Sequence, residues 1–149
     1  MTETEEYPSS YKMTTETIYA KDGKTKTEMT DTTHYPYGVS EIRNVKYAKN
    51  GKTLTETTKT VNKLEKTSST LYRTYAEDGE SLTEQISTKN NPDGSSVIYG
   101  TKFDGMAITE ETETKKLPDG SRTEKITDYT SDPAKVTVRK YDMKGNLVG

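Results

Sequence analysis

The chain has no cysteine, no tryptophan, one phenylalanine and one histidine among its 149 residues. Without cysteine there is no disulfide staple, no thiolate metal site and no cysteine nucleophile. Leu, Ile, Val and Phe together number 20, about 13% of the chain. That lies under the roughly 20% below which a composition stops supporting an ordinary core. No apolar run approaches the ~18 residues of a membrane helix, so no membrane span is expected. The N-terminus, Met1-Thr-Glu-Thr-Glu-Glu6, is acidic and has no apolar stretch, unlike a signal peptide. This fits a cytoplasmic protein or a trimmed secreted one, and the compartment stays open. An excess of either charge is also missing: 22 basic and 24 acidic residues leave a net charge of −2. The basic residues alternate with acids, and no basic stripe can neutralise a run of phosphates, so nucleic acid is not an expected partner.

What the chain does have is threonine, 28 residues of it, and 11 tyrosines. Both are strand formers. It also has a repeat. Tyr19-Ala-Lys-Asp-Gly-Lys-Thr-Lys-Thr-Glu28 recurs as Tyr47-Ala-Lys-Asn-Gly-Lys-Thr-Leu-Thr-Glu56 and as Tyr75-Ala-Glu-Asp-Gly-Glu-Ser-Leu-Thr-Glu84, with a period of 28 residues. A fixed period in this range marks an array of similar supersecondary units. Turn signals punctuate the whole chain, at Asp22-Gly23, Pro36-Tyr37-Gly38, Asn50-Gly51, Asn62-Lys63, Asp78-Gly79, Pro92-Asp93-Gly94, Asp104-Gly105, Pro118-Asp119-Gly120, Asp132-Pro133 and Lys144-Gly145. The segments between them contain no proline and show no sustained 3.6-residue period.

The expected fold is therefore all-β: an antiparallel up-and-down meander of about ten strands, built from repeated hairpins into a thin, polar sheet. A closed ten-strand barrel is the alternative. Residues 1–10 read as a polar tail and residues 11–149 as a single domain. Asp22/Gly23, Asn50/Gly51, Asp78/Gly79, Asp93/Gly94 and Asp119/Gly120 are the expected turn and register residues. Two-residue type I′ loops at Asn50-Gly51 and Asp78-Gly79 would set Tyr47 against Leu54, Tyr75 against Leu82, Arg73 against Glu84 and Leu71 against Ile86. Tyr19 would then face Lys26. The other side would carry Ala48 against Thr53, Ala76 against Ser81 and Thr74 against Thr83. Tyr19, Tyr47, Leu54, Leu71, Tyr75, Leu82 and Ile86 form the candidate packing or interaction face.

Two stretches, Tyr141-Asp-Met-Lys-Gly-Asn-Leu147 and more loosely Tyr75-Ala-Glu-Asp-Gly-Glu-Ser-Leu82, resemble YD-type hairpin repeats, which follow a Tyr-(Asp)-x-x-Gly-x-Leu pattern. The Lys/Glu/Thr-rich hairpins are also similar in style to those of a spirochaete outer-surface lipoprotein. That resemblance implies a single-layer sheet open to water on both faces, although this chain lacks the lipid-attachment cysteine.

Catalytic constellations are absent. His34 reads as a turn residue, there is no Gly-x-Ser-x-Gly elbow, and no glycine-rich phosphate loop occurs. Asn90-Asn-Pro-Asp-Gly94 lacks the further acidic positions of a calcium loop. No cofactor or metal is expected, and the chain is not expected to be an enzyme. The leading functional expectation is a structural or interaction protein that self-assembles or docks into a larger assembly. The alternatives are a barrel holding a small apolar ligand and an ice- or surface-binding threonine array. The last draws on Thr25/Thr27, Thr53/Thr55, Thr58/Thr60 and Thr112/Thr114, which in a meander would recur only on every second strand.

Overall fold

The computed structural model describes residues 1–6, 11–63 and 65–149. They form one antiparallel sheet of eleven strands: β1 (Thr2–Glu6), β2 (Lys12–Tyr19), β3 (Lys26–His34), β4 (Ser40–Tyr47), β5 (Leu54–Asn62), β6 (Ser68–Tyr75), β7 (Leu82–Asn90), β8 (Ser96–Asp104), β9 (Ala107–Lys116), β10 (Arg122–Asp128) and β11 (Lys135–Tyr141). Spatial order equals chain order. A 3-10 turn, Pro36–Gly38, is the one helical element among the described residues. β1 pairs with β2 and β11 with β10, not with each other, so the sheet is open. The barrel weighed as an alternative does not form, and with it goes the enclosed interior a small apolar ligand would need. The polar, β-branched strands fit a sheet wetted on both sides. The strand beyond the expected ten is β1, which lies within the segment set apart as a tail. Residues 7–10 of that segment lie outside the described residues.

Almost nothing is buried. Val45 is 2% exposed and is the one buried apolar side chain among the described residues, and Ser96 is the one buried polar residue. There is no second layer. Order comes from the ladder hydrogen bonds and from cross-strand pairs, the unit of sheet stabilisation. Lys46 pairs with Glu56 at 2.7 Å and Lys102 with Glu110 at 2.9 Å, each bridging neighbouring strands. At the last strand pair, the Arg122 guanidinium lies 4.0 Å over the Tyr141 ring, and the Tyr141 hydroxyl donates to Glu124.

The turns differ from the expected type. At Asn50-Gly51 the loop is four residues, Lys49–Lys52, not two. The Gly51 N–H donates to the Ala48 carbonyl and the Ala48 N–H to the Thr53 carbonyl, at 2.9 and 2.8 Å. Only Gly51 has positive φ, +69°, whereas a type I′ loop requires it at both central residues. The Gly23 and Gly79 turns repeat this pattern. The predicted pairs Tyr19–Lys26, Tyr47–Leu54 and Tyr75–Leu82 do form. Immediately beyond them each hairpin carries a β-bulge, which leaves Thr27, Thr55 or Thr83 unopposed. The bulge moves the register by one residue. Arg73 therefore faces Gln85 instead of Glu84, Leu71 faces Ser87 instead of Ile86, and Tyr72 takes Ile86 as its partner. Thr74 and Thr83 still meet across the bulge, their hydroxyls 2.8 Å apart.

Candidate interaction surface

The turn residues named from sequence divide between two rims of the sheet. Asp22/Gly23, Asn50/Gly51 and Asp78/Gly79 lie on the upper rim, in the turns that precede β3, β5 and β7. Asp93/Gly94 and Asp119/Gly120 lie on the lower rim, in the turns that precede β8 and β10. On the upper rim the acidic or amide side chain organises the turn. The Asp22, Asn50 and Asp78 Oδ1 atoms each accept two backbone N–H bonds, from the second and third residues beyond them. The Thr25, Thr53 and Ser81 hydroxyl groups close the same ring of bonds. Successive upper turns also touch. A Cβ on Gly51 would meet Thr25 Cγ2 at 3.0 Å, and one on Gly79 would meet Thr53 Cγ2 at 2.7 Å, while Gly23 has open space. The three turns therefore form a stack, with each glycine seated on the threonine of the turn before it.

On the lower rim, turns begin at Tyr35, Lys63 and Asn91, again 28 residues apart, and each is closed by a bond from the first residue's N–H to the carbonyl four residues on. The left-handed position is Gly38 in the first and Gly94 in the third, but Lys66, at φ +56°, in the second.

Hydrogen bonding holds the turn carboxylates Asp22, Asp78, Asp93, Asp119, Asp128 and Asp142 below the usual carboxylate range, chiefly through the Thr, Ser or Asn side chain each one binds. A carboxylate lowered in the folded state contributes stability that is present above its unfolded pKa and lost as pH falls through the folded value. Urea midpoints followed by circular dichroism should therefore fall as pH drops below about 4, the ordinary carboxylate range. Asn50 makes the same turn without a titrating group. The double variant Asp22→Asn/Asp78→Asn should lose less stability between pH 5 and pH 3 than the parent. An equal loss would show that these turns are not the source.

The register sorts the strand residues onto two faces. One carries Tyr19, Tyr47, Leu54, Leu71, Tyr75 and Leu82, together with Met29, Val45 and Val61. Six of the seven residues expected on the interaction face thus share it. Ile86 does not: the bulge puts it on the opposite face, beside Tyr72. The Tyr75 hydroxyl reaches Thr57 on β5, 3.3 Å away. His34 ends β3 opposite Lys12 and Ser40.

The second face holds a feature the sequence reading missed. Thr4, Thr14, Thr32 and Ile42 lie directly opposite one another across β1 to β4. Thr60, Thr70, Thr88 and Ile98 repeat that order across β5 to β8, and Thr114 extends it on β9. Nine consecutive strands thus present a β-branched residue in one row, spaced by the ~4.8 Å between strands. Thr58/Thr60 and Thr112/Thr114 have members in this row. Thr25/Thr27 and Thr53/Thr55 do not, because their first members cap turns and their second members are bulge residues. The row has none of the gaps expected of the named pairs. Its signal was present in the sequence: residues 4, 32, 60 and 88 form one 28-residue series, and residues 14, 42, 70 and 98 another.

Among the described residues no group of three or more His, Cys, Asp or Glu side chains could hold a metal ion. No helix there is long and apolar enough to cross a membrane. Comparison with protein-family models, with curated proteins and with solved structures finds no match for this chain.

Proposed function

We propose that the chain is a non-enzymatic structural element whose hairpin array assembles with other protein chains. The carrying observation is the burial. Among the described residues, a sheet of eleven strands buries one apolar side chain, Val45, and leaves thirteen large apolar side chains exposed. Ordering a backbone costs on the order of 1–2 kcal/mol per residue. A single layer recovers little of this from its own burial, and association adds to apparent stability by mass action. The open edges supply unpaired backbone groups, the usual template for joining another strand. Sedimentation velocity of the pure protein should show particles that grow in mass with concentration, and thermal unfolding should shift upward with them. A monodisperse monomer, equally stable from low to high micromolar concentration, would count against the reading.

The threonine row favours a second reading, in which the face of β1 to β9 binds an ordered surface such as ice. The β-branched side chains repeat at the strand spacing, in runs of three threonines interrupted by Ile42 and Ile98, and Thr60 and Thr70 also bond each other at 3.1 Å. Thermal hysteresis at millimolar concentration tests it, and its absence removes it.

A further inference from the structure

The two edge strands carry opposite charge. β1 is Thr-Glu-Thr-Glu-Glu, three acids and no base. β11 is Lys-Val-Thr-Val-Arg-Lys-Tyr, three bases and no acid. Their inner neighbours are balanced: β2 has one lysine and one glutamate, and β10 has two of each sign. The charge therefore belongs to the edges themselves.

We propose that copies of this chain join head to tail, β11 of one copy pairing with β1 of the next. The proposal rests on the assembly reading above and specifies its interface. Like edges repel. With β11 antiparallel to another β11 and Thr137 opposite Thr137, Lys135 falls opposite Arg139 twice. With β1 against β1 and Thr4 opposite Thr4, Glu3 falls opposite Glu5 twice. Like charges directly opposite one another destabilise a strand pair. Unlike edges attract.

Backbone directions narrow the register. The Lys140 N–H and C=O point outward, to Gly149 and Val148, which fold back over that end of β11. By the alternation of a strand, Val136 and Val138 also point outward, and neither has a backbone partner on that side. On β1, Met1 exchanges both of its bonds with Thr17, so Thr2 and Thr4 point outward. Setting Val138 against Thr4 would put Thr2 opposite Lys140, whose outward groups Val148 and Gly149 already take, so that register is closed. Setting Val138 against Thr2 instead brings Lys135 opposite Glu5. This register sets opposite charges against each other and puts Val136 opposite Thr4. Val136 and Val138 are 55% and 51% exposed, and a second copy would cover them. A contact between two different surfaces does not close on itself as a two-fold dimer does. It propagates into open filaments unless the rotation per copy closes a ring.

The test uses two charge-reversed chains. Glu3→Lys/Glu5→Lys makes both edges basic, and Lys135→Glu/Arg139→Glu makes both edges acidic. Each variant alone should stay monomeric at concentrations at least tenfold above those at which the parent associates. An equimolar mixture should associate, because every contact then joins an acidic edge to a basic one. High salt should weaken parent and mixture alike. Far-UV circular dichroism of each variant, with association of the mixture, shows that the strands are intact. The chain is free of cysteine, so a second measurement is clean: Thr4→Cys mixed with Val136→Cys should form a disulfide across copies faster than either alone. If parent and variants associate equally, the edge inference fails while the assembly reading survives. If the parent never associates, both fail.

Discussion

Excising residues 48–75 should leave a folded sheet of nine strands that unfolds in one transition, whereas excising residues 54–67 should leave a sheet broken at a mismatched β4–β6 junction, its two parts unfolding separately and at lower urea. The first cut removes β5, β6 and one complete 28-residue unit. It joins Tyr47 to Ala76, restoring the Tyr-Ala sequence that begins each upper turn. β4 then meets β7, with Tyr47 opposite Leu82 where Leu54 had been. Gly79 comes to rest on Thr25, the same residue type in the same turn. Every cross-strand row survives because the rows repeat with the unit. Unfolding should stay cooperative, with a denaturant slope about four-fifths of the parent's, in proportion to the surface exposed. The second cut removes β5 and its lower turn alone. All later strands then enter the sheet upside down, and the upper turn at Gly79 moves to the opposite rim from its partner at Gly51. Each repeat contacts only its neighbours, so each cut changes one junction: the whole-unit cut remakes it with equivalent partners, while the half-unit cut sets β4 against β6 with mismatched rows and no turn stack. Urea unfolding and sedimentation compare the two. A half-unit deletion that folds as well as the whole-unit deletion would show that the rows do not hold the sheet together.

The second large effect concerns the turn stack. Gly23→Ala, Gly51→Ala and Gly79→Ala share one cost, a side chain at positive φ, worth about 1–2 kcal/mol. They differ in what the new methyl group meets. At Gly23 it meets nothing. At Gly79 it meets Thr53 Cγ2 at 2.7 Å and the Leu54 backbone nitrogen at 3.0 Å. Thr53 cannot simply turn aside, because its hydroxyl accepts a 2.6 Å bond from Asn50 and its N–H is held by the same side chain. Overpacking of this kind costs a further ~1–3 kcal/mol. Urea midpoints should fall least for Gly23→Ala and most for Gly79→Ala, with Gly51→Ala between them. Thr53→Ser removes the methyl group and keeps the hydroxyl, as Ser81 does in the next turn. In the Gly79→Ala background it should restore about the overpacking part. Three equal losses, with no restoration, would rule out contact between successive turns.

Much of this architecture was legible in the sequence because it was written in turns. Asp-Gly and Asn-Gly located the upper rim, and the proline- and glycine-containing signals located most of the lower one. The period fixed two strands per unit. The bulges were not legible. Thr53-Leu-Thr-Glu56 alternates as an unbroken strand would, and only the four-residue turn geometry leaves Thr55 without an opposite residue. That one residue moved Ile86 to the other face and exchanged the partners of Leu71 and Arg73. β1 was missed for a different reason. A segment of threonine and glutamate has no apolar face to bury, yet an edge strand pairs on one side only and needs none. The threonine row was missed because pairs two apart were sought within strands, while the row runs across them at intervals of 28 residues.

The superposed rows also make the protein a ruler. Each 28-residue unit adds two strands, and therefore about 10 Å of width at the usual strand spacing. Insertion or loss of whole units would change the reach of the sheet in fixed steps, while the acidic edge, the basic edge and both faces keep their chemistry. Span and edge charge are thus set by separate parts of the chain, and either can vary without the other.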